Sequence, residues 1–211
     1  MADANHDLSV EQTAGFKVGE KKSLNEYHEL ASTCFTQLTP SPSPDKNDES
    51  LRKWKESLGL GTGKDISDPN DPRKCIIYSL ALEVPGRPDI IVDLRAPGAV
   101  TSLKEKPFFI KEGSEFRMKA TFKVQHQLLA GLKYVQSVRR GPITQKHQEM
   151  LGSYGPSTEE KPFYEKKFES DTAPSGMLAR GTYKAVSKFV DDDNETHLQF
   201  DWTFEIKKDW K

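Results

Sequence analysis

The chain has 211 residues, enough for one large domain or two small ones; 30% are Asp, Glu, Lys or Arg and 35% are hydrophobic. That balance predicts a real core together with a sizeable unpacked segment. The net charge is −1, which excludes a broad basic field able by itself to bind nucleic acid or an anionic membrane.

The first residues, Met1 to Asp7, have neither the basic start nor the apolar run of a secretory signal. No apolar run reaches the length of a bilayer span, and Asp209-Trp210-Lys211 carries no cysteine for prenylation. Cys34 and Cys75 are the two cysteines and sit in dissimilar surroundings, which points to a reducing compartment rather than a disulfide framework. The expectation is a soluble, cytoplasmic protein of the cytosol.

Residues 1–67 hold few large apolar groups, three prolines (Pro40, Pro42 and Pro44) and many charges. Such a segment cannot bury enough area to offset its ordering entropy, so it reads as a flexible, mostly disordered arm. Two short helices are predicted in it. The first, near 23–32, starts at the capping box Ser23-Leu-Asn-Glu26 and continues through Tyr27, Leu30 and Ala31. The second, near 48–58, is capped by Asp48, carries Leu51, Trp54 and Leu58 on one face and stops at Gly59. Each is too short to be stable alone in water, so the Leu51–Trp54–Leu58 stripe needs a surface. That surface is either the chain's own core or another protein. The run Gly59 to Asp65 resembles a phosphate loop only superficially: Leu58 stands where the first glycine belongs, and Asp65 replaces the Ser or Thr. It reads as a hinge.

From Asp68 the periodicity changes to two. Ile76, Tyr78, Leu80, Leu82 and Val84 alternate, and Pro85-Gly-Arg-Pro88 turns the chain into Ile90, Val92 and Leu94. A short strand is expected at Phe108–Ile110, a longer one over Phe116–Val124, another around Leu132, Tyr134 and Val138, and a loop at Gly152–Pro156. Residues 182–190 and 197–207 form the last hairpin, joined through Asp191-Asp-Asp-Asn194. No helix-length pattern interrupts the series. The prediction for 68–211 is an all-β, immunoglobulin-like antiparallel β-sandwich, with excess length for long loops or extra strands around a cavity. In the last strand Leu198, Phe200, Trp202, Phe204 and Ile206 alternate with polar residues. Three aromatics in a row suit either an ordinary core or the wall of an apolar ligand cavity.

Catalytic chemistry finds no support. His6, His28, His126, His147 and His197 show no metal-ligand spacing. There is no nucleophile elbow, and the residues after Asp191-Asp192-Asp193 do not continue a calcium loop. No metal, cofactor or enzymatic activity is expected, and function should lie in surfaces and cavities.

Several motifs, in order along the chain, resemble Rho GDP-dissociation inhibitors: Asp48-Glu-Ser-Leu-Arg-Lys-Trp-Lys55, Lys111-Glu-Gly113, Gly131-Leu-Lys-Tyr134, Gly152-Ser-Tyr-Gly-Pro156, Met177-Leu-Ala-Arg-Gly181, Phe189-Val-Asp-Asp-Asp193 and Ile206-Lys-Lys-Asp-Trp210. The resemblance runs from about Phe16 to Lys211. It implies an arm whose helical hairpin clamps the switch regions of a prenylated Rho-family small GTPase and slows GDP release. It also implies a sandwich that holds the geranylgeranyl group and so extracts the GTPase from membranes. By position it puts Asp48, Leu51 and Trp54 against the switches, with Asp192 and Asp193 on the switch II side. Leu80, Leu82, Phe108, Leu128, Phe200 and Trp202 would line the isoprenoid pocket, while Glu169 and Asp171 would meet the basic GTPase tail. Phe204 is left as core. The implied complex is 1:1 with a monomeric inhibitor, touching membrane only indirectly and nucleic acid not at all. The sequence departs from animal relatives at Phe200 (usually Trp), Phe16 (Tyr in some) and Pro107 (Ser in some), and in a longer arm linker with Ser41 and Ser43 before prolines. Lys123-Val-Gln-His126 and Lys161-Pro-Phe-Tyr164 resemble fungal members. The competing readings are a general lipid carrier of the same fold without GTPase specificity and a structural or adhesion immunoglobulin-like domain.

Overall fold

A computed structural model describes residues 8–10, 64–96 and 98–210. The predicted helices near 23–32 and 48–58, with Asp48, Leu51 and Trp54, lie outside the described residues.

Among the described residues, nine strands and one helix follow in chain order: β1 (Cys75–Glu83), β2 (Ile90–Asp93), α1 (Ala99–Glu105), β3 (Phe108–Lys111), β4 (Glu115–Val124), β5 (Leu129–Arg140), β6 (Ile143–Tyr154), β7 (Tyr164–Thr172), β8 (Gly181–Val190) and β9 (Thr196–Lys207). They form two layers, a four-stranded sheet ordered β2-β1-β4-β7 and a five-stranded sheet ordered β3-β9-β8-β5-β6. The expected two-layer β-sandwich is therefore present. Ahead of β1, the Lys64 carbonyl accepts from the Glu159 N–H, Asp65 bridges Thr158, and the Ile66 N–H donates to the Ser157 carbonyl.

Four details differ from the sequence reading. First, β1 does not keep one parity. Ile77 faces Phe122, but the register to β4 then shifts so that Ser79 faces Thr121, Leu80 faces Ala120 and Leu82 faces Met118. Tyr78 is the extra residue of this bulge. Ile77 points in with Leu80 and Leu82, while Tyr78 turns to an edge contact with Phe163 at 5.1 Å. Second, a short helix stands where no helical pattern was legible. Gly98 enters α1 with φ 78°, and Leu103 is the residue it buries. Seven residues, about two turns, are too few to display a period. Third, β3 pairs parallel to β9, Phe108 with Phe204 through Lys111 with Lys207. The two strands are joined through β4–β8 rather than by a tight turn, so the connection does not force them antiparallel. Fourth, β6 and β7 were not foreseen, and β6 runs on through Tyr154 where a loop was expected. Both are sheet-edge strands. Their charged, weakly alternating sequences suit an edge that must not recruit another strand.

The interior is unevenly filled along the strands. Phe122, Val124, Leu129, Leu132, Tyr134 and Phe189 are fully buried toward the end that carries the β4–β5 and β8–β9 connections. Phe122 is edge-on to Tyr154 at 4.9 Å, and Tyr134 lies 4.9 Å from Phe168 and 5.1 Å from Phe189. Side chains of this size each contribute about 1.5–3 kcal/mol when buried. The other half of the interior is hollow.

Candidate functional site: an apolar cavity and an acidic turn

The hollow half is a cavity of about 620 Å³ between the sheets, within the range of ligand sites. Its walls follow from strand alternation. Leu80 and Leu82 reach it from β1, Met118 from β4, Phe168 from β7, and Phe200 and Trp202 from β9. Phe108 and Ile110 enter from β3, and Leu103 closes one side from α1. The helix is held there by Thr203, whose hydroxyl donates to the Lys104 carbonyl at 3.2 Å, and by the Lys104–Asp201 ion pair at 3.1 Å.

The cavity is apolar because its buried polar atoms are already partnered. Ser187, fully buried on β8, accepts the Trp202 indole N–H at 2.9 Å and shares a 2.7 Å bond with the Tyr134 hydroxyl. Burial pushes the Tyr134 hydroxyl far above the usual phenol range, so it remains neutral. The indole N–H and one of the two hydroxyl protons are spent within this group. The rim is the opposite. It lies between edge strands β6 and β7 and carries Lys146, His147, Glu149, Glu169 and Asp171. The Glu169 N–H donates to the Glu149 carboxylate at 3.3 Å, and Lys146 is bonded to Ser9 at 3.0 Å.

Of the six residues expected on an isoprenoid pocket, Leu80, Leu82, Phe108, Phe200 and Trp202 line this cavity. Leu128 does not. It precedes β5 at the filled end, whereas β5 meets the cavity at Tyr134, Gln136 and Val138. Phe204, expected as plain core, is a wall residue and stacks on Tyr183 at 4.9 Å. Unbroken alternation through Ile206 was the signal for it. Tyr134, Met118 and Phe168 were missed as walls. Met118 was legible from its alternation, while Phe168 sits in a strand with too few apolar residues to register.

The acidic turn lies at the opposite end of the sandwich. Asp191 is buried and accepts from Lys74 Nζ at 2.9 Å and from the Glu195 amide at 2.9 Å, with His197 Nε2 at 3.2 Å. Burial alone would raise its pKa, but the bonds from His197 and Lys74 outweigh it and hold the carboxyl well below the usual range. Burial likewise opposes the charge on Lys74, and the Asp191 carboxylate more than restores it, so its pKa is raised. Lys74 also reaches Asp193 at 3.3 Å, and Lys133 donates to Asp192 at 2.7 Å. Gly131 has φ +57°, and a Cβ there would stand 1.9 Å from Asp192 Oδ2. The three aspartates are thus braced by two lysines rather than left in solvent. Glu169 and Asp171, on the cavity rim, belong to a separate acidic group. Burial pushes the Cys75 thiol beside this network up to about 12. Among the described residues no cluster of His, Cys, Asp and Glu could hold a metal ion, and no helix is long and apolar enough to cross a membrane.

An apolar cavity in a sandwich, with a braced acidic turn at its far end, can be compared with known proteins. The family model described as "RHO protein GDP dissociation inhibitor" matches residues 1–209. The chain belongs to this family. Among its relatives, the Rho GDP-dissociation inhibitor of Schizosaccharomyces pombe is 46% identical over 97% of this chain and 92% of its own length. That of Saccharomyces cerevisiae is 42% identical over 92% of this chain and 90% of its own. Human Rho GDP-dissociation inhibitor 1 is 40% identical, covering 95% of this chain and 89% of its own. Members of the family are regulatory inhibitors rather than enzymes.

Proposed function

We propose that the chain binds prenylated Rho-family GTPases one to one, slows their GDP release and withdraws them from membranes into the cytosol, holding the geranylgeranyl group in the cavity. The observation that carries this reading is the 620 Å³ apolar cavity with an acidic rim. A C20 isoprenoid suits its walls, and the basic tail preceding a lipid suits Glu149, Glu169 and Asp171. Burying the isoprenoid is worth at most about 15 kcal/mol at ~0.8 per CH₂, and a bilayer offers nearly the same. Transfer is therefore close to neutral, and the bias toward the inhibitor comes from protein contacts the membrane lacks. On this reading Asp48, Leu51 and Trp54 of the arm hold the GTPase switches, and Asp192 and Asp193 present their remaining lone pairs to its basic groups. The arm favours the switch conformation that retains nucleotide.

The test is a titration with a geranylgeranylated peptide followed by tryptophan fluorescence. A saturable change, lost in Trp202→Ala, is expected. No saturable change, or an equal loss of binding to prenylated and unprenylated GTPase in that variant, overturns the cavity assignment. A lipid carrier without GTPase specificity would pass the peptide test but leave nucleotide release from prenylated GTPase unslowed.

A further inference from the structure

We propose that the end of the sandwich beside the cavity mouth docks directly on an anionic lipid bilayer, through three exposed apolar side chains set among cations. Ile143 is 64% exposed, Met177 82% and Leu178 90%. Isolated exposed apolar residues need no explanation. These three occupy one end of the molecule and sit on braced turns. Arg140, at the tip of the β5–β6 hairpin and paired with Ile143, donates to the Arg180 carbonyl and the Tyr183 hydroxyl, which ties the hairpin to the β7–β8 loop. The loop's base is fixed by the Arg180–Glu112 pair at 2.7 Å and by the Gly176 amide on Glu112 at 3.0 Å. The apolar side chains are thus held outward by a closed network, in the manner of a surface waiting for an apolar medium.

Two observations select a bilayer over another protein. The charge on the outer face beside the patch is cationic and lies apart from the acidic rim, because Val138 and Tyr183, the neighbours of Arg139 and Lys184, are the residues that face the cavity. Arg139 stands opposite Lys184 across β5 and β8, a like-charged pair that costs stability unless an anion joins it. The Arg139 guanidinium donates to the Gly141 carbonyl at 3.1 Å, an uncharged oxygen. Basic groups beside exposed apolar ones are the composition of an interfacial anchor on anionic lipid. The patch is also continuous with the cavity: Ala173 and Pro174, at the start of the same loop, line it. Docking in this way would set the cavity mouth at the depth where a lipid chain leaves the bilayer. Membrane contact would then be direct as well as through the GTPase, which extends the indirect contact expected from the sequence.

The test floats the full chain, without GTPase or isoprenoid, on phosphatidylcholine vesicles with and without phosphatidylserine. Flotation is expected on the anionic vesicles only. Met177→Ser/Leu178→Ser should lower the bound fraction about tenfold, and Arg139→Gln or Lys184→Gln about fivefold each. The geranylgeranyl-peptide titration should be unchanged in these variants, and the thermal midpoint should not fall. Failure to float on either vesicle, or equal flotation of the Met177/Leu178 variant, overturns the proposal. So does a loss of affinity for soluble prenylated GTPase in that variant, which would make the patch a protein contact. Flotation is read without isoprenoid, so its outcome is independent of the cavity assignment.

Discussion

Ser187 and Gly131 show how single residues set the two ends of the molecule. Ser187 is the shared partner of Tyr134 and Trp202. Ser187→Ala would leave the buried Tyr134 hydroxyl and the partly buried Trp202 indole N–H unpaired and should cost about 1–3 kcal/mol in urea unfolding. Gly131→Ala meets both a left-handed φ and the Asp192 carboxylate. It should destabilise by about 2 kcal/mol or more and displace Asp192, so GTPase binding should fall with stability. The Lys74–Asp191 pair makes a pH prediction. The Asp191 carboxyl titrates below its ordinary value when folded. Its contribution is therefore complete above pH ~4 and is lost as pH falls through the unfolded and then the folded pKa. Acid unfolding of Asp191→Asn should lack that component. Lys74→Met leaves the carboxylate buried without its cation and should cost about 3–5 kcal/mol near neutrality.

At the scale of elements, strands that alternate strictly were legible and those that do not were not. β4 and β9 could be read residue by residue because each has one buried and one wet face. In β6, which has a single buried residue, Leu151, the edge position removes that contrast. The bulge in β1 was invisible for another reason. A hydrophobic run of Ile76, Ile77, Tyr78 fits either parity, and only pairing with β4 decides it. This gives a direct check: Ile77→Asp should unfold or severely destabilise the domain, whereas Ile76→Asp should cost no more than about 1 kcal/mol. The cavity was half legible. Aromatic excess in β9 suited either a cavity wall or an ordinary core, and which of Phe200, Trp202 and Phe204 faced empty space depended on strands from the other sheet. The bracing of Asp191–Asp193 by Lys74 and Lys133 had no sequence signal, since 117 residues separate Lys74 from Asp191.

The whole molecule places a filled interior and an acidic turn at one end, a hollow interior and an exposed apolar patch at the other. The ends should be separable by experiment. Deleting residues 1–60 should leave the sandwich folded and able to bind the geranylgeranyl peptide, while nucleotide release from the GTPase is no longer slowed. Full inhibition by the truncated chain would remove the arm from the mechanism.

The hollow half means that this domain is complete only when loaded. A sandwich ordinarily supplies all the atoms of its own interior; this one leaves about 620 Å³ for something else to fill. The empty protein should therefore have a gradient of local stability along each strand. Amides at 80–82, 116–118 and 136–139 should exchange with solvent faster than those at 120–124, 132–135 and 186–190. Cargo should erase the gradient and raise the midpoint in proportion to the logarithm of its concentration. The isoprenoid would then serve as the missing layer of the core, and the inhibitor's own rigidity would report whether it is carrying anything.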